Sequence, residues 1–540
     1  MKKSFVKASI AAAGFFTLLL VPLQGCTNLD ETPQSGIEPS HFFRTEAEVL
    51  ASLAGTYAQL RSTLDDYYNV SEISTDEMVV PTRGQDWYDG GTWLDLHYQT
   101  WTGTSAATGA FFNGAWNALG AGIARANVLL DALKSTVVPN QVGYEAEGRV
   151  LRAFYYYLLM DLFGGVPLAT TSGVTRRERV TRDSLFKFIE SELLAARPDL
   201  PVSWNSANNG RITKGAVDAI LANMYLNAGV FTKDSAGAGG INATGYNSCA
   251  GVIVSGSLDA CQAAVNRADN IINSGVYQLA DTFAKNFRAD NASSTENIFV
   301  VKFIAADQLG LNFVMRALHY NQYSPSPWNG FATLAQTYNA FDAADRRRNI
   351  FLAGPQVNVL TGDSVCVRPG CAQGAPRLVF TPSIADVTQA TEGEGVRIYK
   401  WPADPTHIAQ NNGNDYAWFR LGEIYLIKAE IENELGNVAL ATALVDSLRA
   451  RRDTVAAPLV TVNRAVILRE RLFELLGEGK RRQDLIRFGA YTTRVDDPSL
   501  VGGKSTPAAD YYVLAPIPQT QIDANPKLCQ NPGYGTATCP

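Results

Sequence analysis

Amphipathic helical patterns recur along most of the chain and constrain its fold more than any other feature. In YEAEGRVLRAFYYYLLMDLFGGVP (144–167), Val150, Tyr157 and Asp161 lie near one stripe, and two glycines followed by a proline end the pattern. Comparable segments cover 181–197, 213–229, 416–437, 438–453 and 464–489. The spacing predicts an all-α protein.

Short turns separate several of these segments, which favours helical hairpins of the tetratricopeptide kind packed into a superhelical scaffold. The hairpins are not contiguous, because long irregular stretches interrupt them at 65–110, 230–256, 280–330 and 354–414. Irregular stretches of that length are more often functional surface than filler. We therefore expect a helical scaffold that carries large loop-rich insertions.

One irregular stretch is unusually rich in aromatic residues. PTRGQDWYDGGTWLDLHYQTW (81–101) holds three of the chain's 8 tryptophans, Trp87, Trp93 and Trp101, with Arg83 and Asp86 close by. Sugars present flat C–H faces edged by hydroxyls, so aromatic planes beside charged or amide groups suit them. We predict that Arg83, Asp86, Trp87 and Trp93 contact a ligand.

A second cluster of similar chemistry occurs in LHYNQYSPSPWNGF (318–331). Here Tyr320, Tyr323 and Trp328 alternate with asparagine and glutamine. The alternative for both clusters is that the rings anchor long loops onto the helical core. We expect the helical array to bring the two clusters together at one ligand face.

The N-terminus has the pattern of an export signal. Three lysines within the first seven residues precede the apolar run 8–21, which is too short for an ordinary membrane span. The following LQGC (23–26) looks like a bacterial lipobox, in which Cys26 is acylated after removal of the signal peptide 1–25. Several acyl chains on one residue give a lasting anchor. The alternative is a cleaved signal with an incidental cysteine.

The remaining cysteines form three close pairs in the sequence. They are Cys249 with Cys261, Cys366 with Cys371, and Cys529 with Cys539. An exported protein with this clustering favours disulfides within each pair. Only 4 histidines are present and none has ligand spacing from a cysteine pair, so we predict no metal site and no cofactor.

The charge argues against two classes of partner. The formal net charge is -6, and removal of residues 1–25, with three lysines and no acidic residue, makes it -9. An acidic chain argues against nucleic acid and against an anionic membrane face as the partner.

Seven segments along the chain resemble the SusD/RagB family of nutrient-uptake outer-membrane lipoproteins. They are CTNLDETP (26–33), STDEMVVPTRGQDW (74–87), AEGRVLRAFYYYLLMDLFGGVPL (146–168), GRITKGAVDAILANMYLNAG (210–229), FRLGEIYLIKAEIENELGN (419–437), RERLFELLGEGKRRQDLIRFG (469–489) and LAPIPQTQIDANPKLCQNPGY (514–534). Their order and coverage carry the resemblance. It implies a SusD-like N-terminal region (26–230), a Gly/Ser/Cys-rich insertion (231–265) and a RagB/SusD C-terminal region (266–540).

The resemblance also implies a function. Members of the family are not enzymes; they capture oligosaccharides, or in some cases peptides, as lids over a SusC-like TonB-dependent transporter. We therefore expect a glycan-binding lipoprotein anchored in the outer membrane and facing the exterior.

Two other classes of protein remain open at this point. A surface glycan hydrolase would need two carboxylates about 5–10 Å apart, which Asp86, Asp89 and Asp95 could supply. A tetratricopeptide scaffold that binds only protein would have no sugar or peptide ligand.

Overall fold

Helices form the scaffold of the protein in a computed structural model that describes residues 43–452 and 458–535. In the N-terminal half they are α1 (Glu46–Ala58), α2 (Asp66–Ile73), α3 (Thr92–Tyr98), α4 (Ala106–Leu133), α5 (Gln141–Phe163), α6 (Arg182–Ala196), α7 (Lys214–Leu226), α8 (Ala228–Phe231) and α9 (Ala260–Ile272). In the C-terminal half they are α10 (Phe313–Ala317), α11 (Ala335–Ala340), α12 (Leu421–Glu434), α13 (Val438–Ala450), α14 (Arg464–Leu475), α15 (Arg481–Arg487) and α16 (Gln519–Ala524).

The strands are short and form antiparallel pairs. They are β1 (Ile253–Val254) with β2 (Leu258–Asp259), β3 (Asn297–Val301) with β8 (Tyr416–Arg420), β4 (Phe351–Leu352) with β7 (Arg397–Ile398), and β5 (Gly354–Pro355) with β6 (Val379–Phe380). The predicted all-α class is confirmed, because the strand pairs are short and the scaffold is built from helices.

Neighbouring helices pack side by side as hairpins. α4 packs on α5, α5 on α6, α7 on α9, and α12 on both α13 and α14. Small residues allow close contact: a Cβ at Gly122 of α4 would lie 2.5 Å from the Tyr155 ring of α5. Between α12, α13 and α14 the core is aliphatic and includes Leu426, Val445 and Ile467. The predicted tetratricopeptide-like hairpins are therefore present.

Local capping signals set several helix boundaries as the sequence predicts. The side chains of Thr181 and Thr213 accept hydrogen bonds from backbone N–H groups in the first turns of α6 and α7. α5 ends at Gly164, whose φ of 75° lies in the region that favours glycine. These ends depend on residues within a few positions of the boundary.

Three parts of the sequence-based description are wrong. The helical segment predicted at 464–489 is two helices, α14 and α15, separated by a turn at 476–480. Residues 416–420 form strand β8, because the aromatic-rich run YAWFR is buried on both faces and pairs with β3. The helix begins only at Leu421. In addition, the stretch 65–110 is less irregular than expected, since it contains α2 and α3.

A network of buried ion pairs joins the C-terminal helices to the strands. Arg420, at the end of β8, contacts Glu478 at 2.7 Å and Glu296 at 2.9 Å, and also bonds Glu474 at the end of α14. Arg452 contacts the same Glu296 at 2.6 Å and Glu474 at 2.8 Å. All five side chains are fully buried, so each charge depends on its partners.

Glu474 is the carboxylate at the centre of this network. Burial alone would raise the pKa of Glu474, but the charges of Arg452, Arg420 and Arg347 outweigh burial and hold its pKa well below the usual range. Glu474→Gln keeps the shape and removes the charge. We expect a loss of about 3–5 kcal/mol in the free energy of unfolding, measured by urea denaturation, because buried guanidiniums lose their counter-charge.

Asp183→Asn is the surface control. Asp183 pairs with Lys187 at 2.7 Å on α6, where the two side chains are 38% and 65% exposed. This substitution should cost less than about 1 kcal/mol. Equal losses in the two variants would show that the buried network contributes no more than a surface pair.

Two carboxyl groups are buried together beneath the turn between α14 and α15. Glu72 accepts a hydrogen bond from the Gly479 N–H, and Glu77 accepts one from Gly477 at 2.8 Å. Burial raises the pKa of Glu72 to about 7, and burial together with the charge of Glu72 raises the pKa of Glu77 well above its usual value. The pair therefore holds a proton at pH values where exposed glutamates are ionised.

These raised pKa values predict a stability that falls with pH. The stabilising contribution is complete below the ordinary glutamate pKa and is lost as pH rises through the folded-state pKa of about 7. Between pH 5 and 8 we expect the free energy of unfolding to fall by about 3 kcal/mol. Glu77→Gln and Glu72→Gln should each flatten this decline in thermal unfolding. Profiles parallel to that of the unaltered protein would contradict the assignment.

Candidate ligand-binding site

The first aromatic loop has an unusual backbone. Two backbone hydrogen bonds between Arg83 and Asp86 close a tight turn. Trp87, which follows this turn, has a φ of 62°. Asp89 also has a positive φ, of 41°. A bulky residue in the left-handed region is a strained conformation of the kind that clusters at ligand sites.

The rings of this loop pack edge to face. Trp87 and Trp93 have centroids 5.3 Å apart, and each lies 5.7 Å from the ring of Phe331. Trp93 also packs on Phe111 of α4, and its indole N–H donates to Asp89 at 2.7 Å. The helical scaffold thus supports Trp93, and Trp93 supports Trp87.

The second aromatic loop joins the first directly. The Trp87 indole N–H donates to the Trp328 carbonyl at 2.7 Å, and the Tyr320 hydroxyl donates to the Asp86 carboxylate. We call the surface formed by Trp87, Trp93, Tyr320 and Trp328 the aromatic platform. The two predicted clusters, more than 200 residues apart in the sequence, therefore meet at one place.

The aromatic platform is open to solvent. Trp328 is 37% exposed, Asp86 is exposed, and Trp87, Trp93 and Tyr320 are half-buried. Burial and the hydrogen bond to Asp86 raise the pKa of Tyr320, so its hydroxyl keeps its proton at neutral pH. The platform thus offers flat rings together with a carboxylate and a hydroxyl.

Arg83, a predicted ligand residue, lies behind the platform instead of on it. It is 5% exposed and donates to the carbonyls of Asn329, at 3.0 Å, Glu394, at 2.8 Å, and Thr391. Burial lowers its pKa to about 10. In this arrangement Arg83 joins the two loops through backbone carbonyls.

Tyr323 is also separate from the platform. Its ring is 4% exposed and packs among Val314, Met315 and Leu318, and its hydroxyl donates to Asn412 at 3.3 Å. Trp101, from the first aromatic stretch, is 1% exposed and packs on Phe112. These two rings anchor their loops on the core, which is the alternative that the sequence left open.

The predicted cysteine pairs are partly visible. Cys249 bonds Cys261 and Cys366 bonds Cys371, as predicted. Cys529 is disulfide-bonded, and Cys539 lies outside the described residues, so that pairing stays a prediction. Cys26 and the signal segment 1–25 also lie outside them.

Membrane-spanning helices and metal clusters are both absent from the part of the chain that the structure describes. Over 43–452 and 458–535, no helix is long and apolar enough to cross a membrane. Within the same ranges, no group of three or more histidine, cysteine, aspartate or glutamate side chains could hold a metal ion.

Family models match most of the chain. The model of the SusD family matches residues 381–534, and a model described as starch-binding associating with outer membrane matches residues 29–226. The starch-binding protein SusD of Bacteroides thetaiotaomicron is 26% identical, over 96% of this chain and 93% of that protein. The chain belongs to the SusD/RagB family.

Solved structures of SusD-like proteins share the fold. A laminarin-binding SusD-like protein has a TM-score of 0.69 at 21% identity, covering 91% of this chain and 100% of that one. Surface glycan-binding protein A of Bacteroides thetaiotaomicron in complex with laminarihexaose has a TM-score of 0.68 at 20% identity, covering 90% of this chain and 99% of that one. At these identities the likeness establishes the fold alone.

Sequence reasoning missed the residues behind Tyr320. His319 is buried against the Tyr320 ring, with centroids 5.1 Å apart, and its Nε2 lies 2.9 Å from the exposed carboxylate of Glu392. Burial lowers the pKa of His319, and its Nδ1 accepts the Asn321 N–H, so the neutral ring donates from Nε2. The segment around Glu392 has no aromatic residue, so composition gave no signal.

Arg397, from β7, was missed for a different reason. Its guanidinium bonds the Asn329 side chain at 2.8 Å and the Glu392 carbonyl at 2.8 Å, and it is fully buried. Burial, and then the nearby charge of Arg83, lowers the pKa of Arg397 well below its usual value. Two arginines thus hold the platform loops through carbonyl and amide oxygens, a role with no sequence signature.

Gly330 is required for the packing of Trp87. A Cβ at Gly330 would lie 2.4 Å from atoms of the Trp87 indole, so Gly330→Ala must displace that ring. We expect a loss of about 1–3 kcal/mol in stability and a changed near-ultraviolet circular dichroism signal. Gly109→Ala on α4 is the control, because an added Cβ there would meet no other part of the protein within 4 Å, and it should stabilise by up to about 1 kcal/mol. An unchanged signal in Gly330→Ala would contradict this packing.

Proposed function

We propose that this protein binds an oligosaccharide on the aromatic platform, without catalysis, and delivers it to a SusC-like TonB-dependent transporter. The observation that carries the proposal is the direct contact between two loops that each supply aromatic rings and polar groups. The strained backbone of Trp87 and the two buried arginines serve this arrangement. A core that needed only apolar contacts would not leave these rings at the surface.

The chemistry of the platform suits a sugar. The exposed face of Trp328 can pack on the C–H face of a pyranose ring. The carboxylate of Asp86, beside the Tyr320 hydroxyl, can accept hydrogen bonds from sugar hydroxyls, and Glu392 can do the same beyond Tyr320. Stacking and hydroxyl recognition are thus available within one surface.

Relatives support the ligand class. The family model that matches residues 29–226 is described as starch-binding, and SusD itself is named a starch-binding protein. Two proteins of the same fold are described by their laminarin or laminarihexaose ligand. Starch and laminarin are both neutral glucans, so these are the first ligands to test.

The location and the partner are part of the proposal. We infer that Cys26 is acylated, that the protein is held in the outer membrane facing outward, and that it acts as the lid of its transporter. The lipobox-like LQGC (23–26) and the family description of association with the outer membrane support this. A peptide ligand in the same lid role is the alternative that the ligand test distinguishes.

Trp328→Ala is the sharpest test, because its side chain is the most exposed of the platform and the hydrogen bond to Trp87 uses only its backbone carbonyl. We expect binding of amylopectin or laminarin, measured by affinity electrophoresis and titration calorimetry, to weaken about ten- to hundredfold, roughly 1–3 kcal/mol. Trp87→Ala should weaken binding as much. The melting temperature of Trp328→Ala should change little.

Trp116→Ala is the control, because Trp116 is a half-buried tryptophan on α4 that packs on Phe163 away from the platform. It should leave glycan affinity unchanged. Equal affinity in Trp328→Ala and the unaltered protein, or binding of peptides but of neither glucan, would overturn the proposed ligand site. Release of reducing ends from a bound glucan would favour a hydrolase instead.

A further inference from the structure

A disulfide-closed arm adjoins the aromatic platform. We define the arm as residues 354–380, which begin with β5 and end with β6. Within it, Gln356 and Val365 bond Leu378 through the backbone, and Cys366 lies opposite Arg377 in an antiparallel bridge. Beyond these contacts, the bond between Cys366 and Cys371 closes the tip.

The arm is anchored to the platform loop at its inner end. The Asn321 side chain donates to the Cys366 carbonyl at 3.0 Å, and the Gln322 side chain donates to Gln356 at 3.0 Å. Asn321 directly follows Tyr320 of the platform. A single hydrogen bond, from Asn321 to Cys366, therefore connects the disulfide to the residue next to Tyr320.

A second anchor runs through Arg397. Its guanidinium lies over the ring of Phe380, 4.2 Å from the centroid, and bonds the Asn329 side chain next to Trp328. The arm is thus fixed to both ends of the platform's second loop. This double attachment holds it as a rigid neighbour of the ligand surface.

The second half of the arm, residues 364–380, is positively charged. Residues 364–380 include Arg368 and Arg377 and no acidic residue, in a chain whose net charge is -6. Both arginines are exposed, and neither has an ion-pair partner among the described residues. Hydrogen bonds from Val367 to Pro376 and from Leu378 to Val365 flank the bridge, so the Cα of Arg377 lies about 4.5 Å from that of Cys366. The Cys366 carbonyl points to the other side of its strand, toward Asn321, so Cys366 links Arg377 to the platform loop.

We propose that the arm is a second wall of the ligand site and that Arg377 binds sugar units beyond those on the platform. The inference rests on the proposed function. A guanidinium donates up to five hydrogen bonds in a fixed geometry, which suits the hydroxyls of a neighbouring sugar ring. The bridge to Cys366 fixes the backbone of Arg377, so little conformational freedom of that backbone is lost on binding. Longer oligosaccharides should then bind more tightly than short ones.

The test compares two ligand lengths. Titration calorimetry of the full chain uses laminaritriose with laminarihexaose, and maltotriose with maltohexaose. Arg377→Ala should weaken the hexasaccharide about tenfold and the trisaccharide less than twofold, because only the longer ligand reaches the arm. Cys366→Ser with Cys371→Ser should give the same selective loss, since the strand opposite Arg377 is then no longer held by the disulfide.

The second disulfide provides a matched control. Cys249→Ser with Cys261→Ser opens a bond of similar Cα separation, 5.1 Å in both cases, at the start of α9. It should change the affinity for either length less than twofold. The melting temperatures of all variants show whether a loss of binding reflects a loss of folding. Because Arg377 is exposed, Arg377→Ala should leave the melting temperature unchanged.

The outcomes separate the two proposals. If Trp328→Ala weakens both lengths while Arg377→Ala weakens neither, the platform binds glycan and the arm is only structural. Equal losses of hexasaccharide affinity in the two disulfide variants would likewise show that the arm has no special role in binding. If the unaltered protein binds none of the four oligosaccharides, both the proposed glucan site and its proposed extension onto the arm are wrong.

Discussion

The buried pairing of guanidinium and carboxylate groups around Glu474 is the constraint on which the rest of the structure depends. Glu474 lies at the end of α14, and the arginines that surround it come from β8, from the residues after α13 and, with Arg347, from the segment before β4. Each of these charges would be costly to bury alone, so the pairing specifies how the last helices meet the β3–β8 pair. Glu296 and Glu478, which lie just outside β3 and between α14 and α15, complete the network, so it also fixes the segments that carry them.

Buried arginines also join separate segments elsewhere in the molecule. In α15, Arg481 pairs with Asp76 at 2.7 Å and Arg482 with Asp161 at 3.0 Å, which ties the C-terminal helices to α5 and to the segment after α2. At the platform, Arg83 and Arg397 bond carbonyl and amide oxygens instead of carboxylates. Loops without regular structure need partners for their backbone groups, and a planar guanidinium satisfies several at once. The same chemistry therefore holds both the scaffold and the ligand surface.

The candidate site shows how far composition can lead. The density of tryptophan and tyrosine predicted both loops of the platform, and the contacts from Trp87 to Trp328 and from Asp86 to Tyr320 bring them together. The supporting residues His319, Glu392 and Arg397 gave no signal, because their roles depend on partners distant in the sequence. The helix predicted at 416–437 failed at its start for the same reason: an aromatic run indicates a strand only when its partner is known.

The sequence by itself determined the features that depend on near neighbours: the caps at Thr181 and Thr213, the helix end at Gly164 and the two local disulfides. Only the tertiary structure decided which aromatic rings face solvent. Trp328 and Tyr320 lie at the surface, while Trp101 and Tyr323, in the same stretches and of the same chemistry, are buried. Capping is settled within one helical turn, whereas the burial of a ring depends on side chains hundreds of residues away.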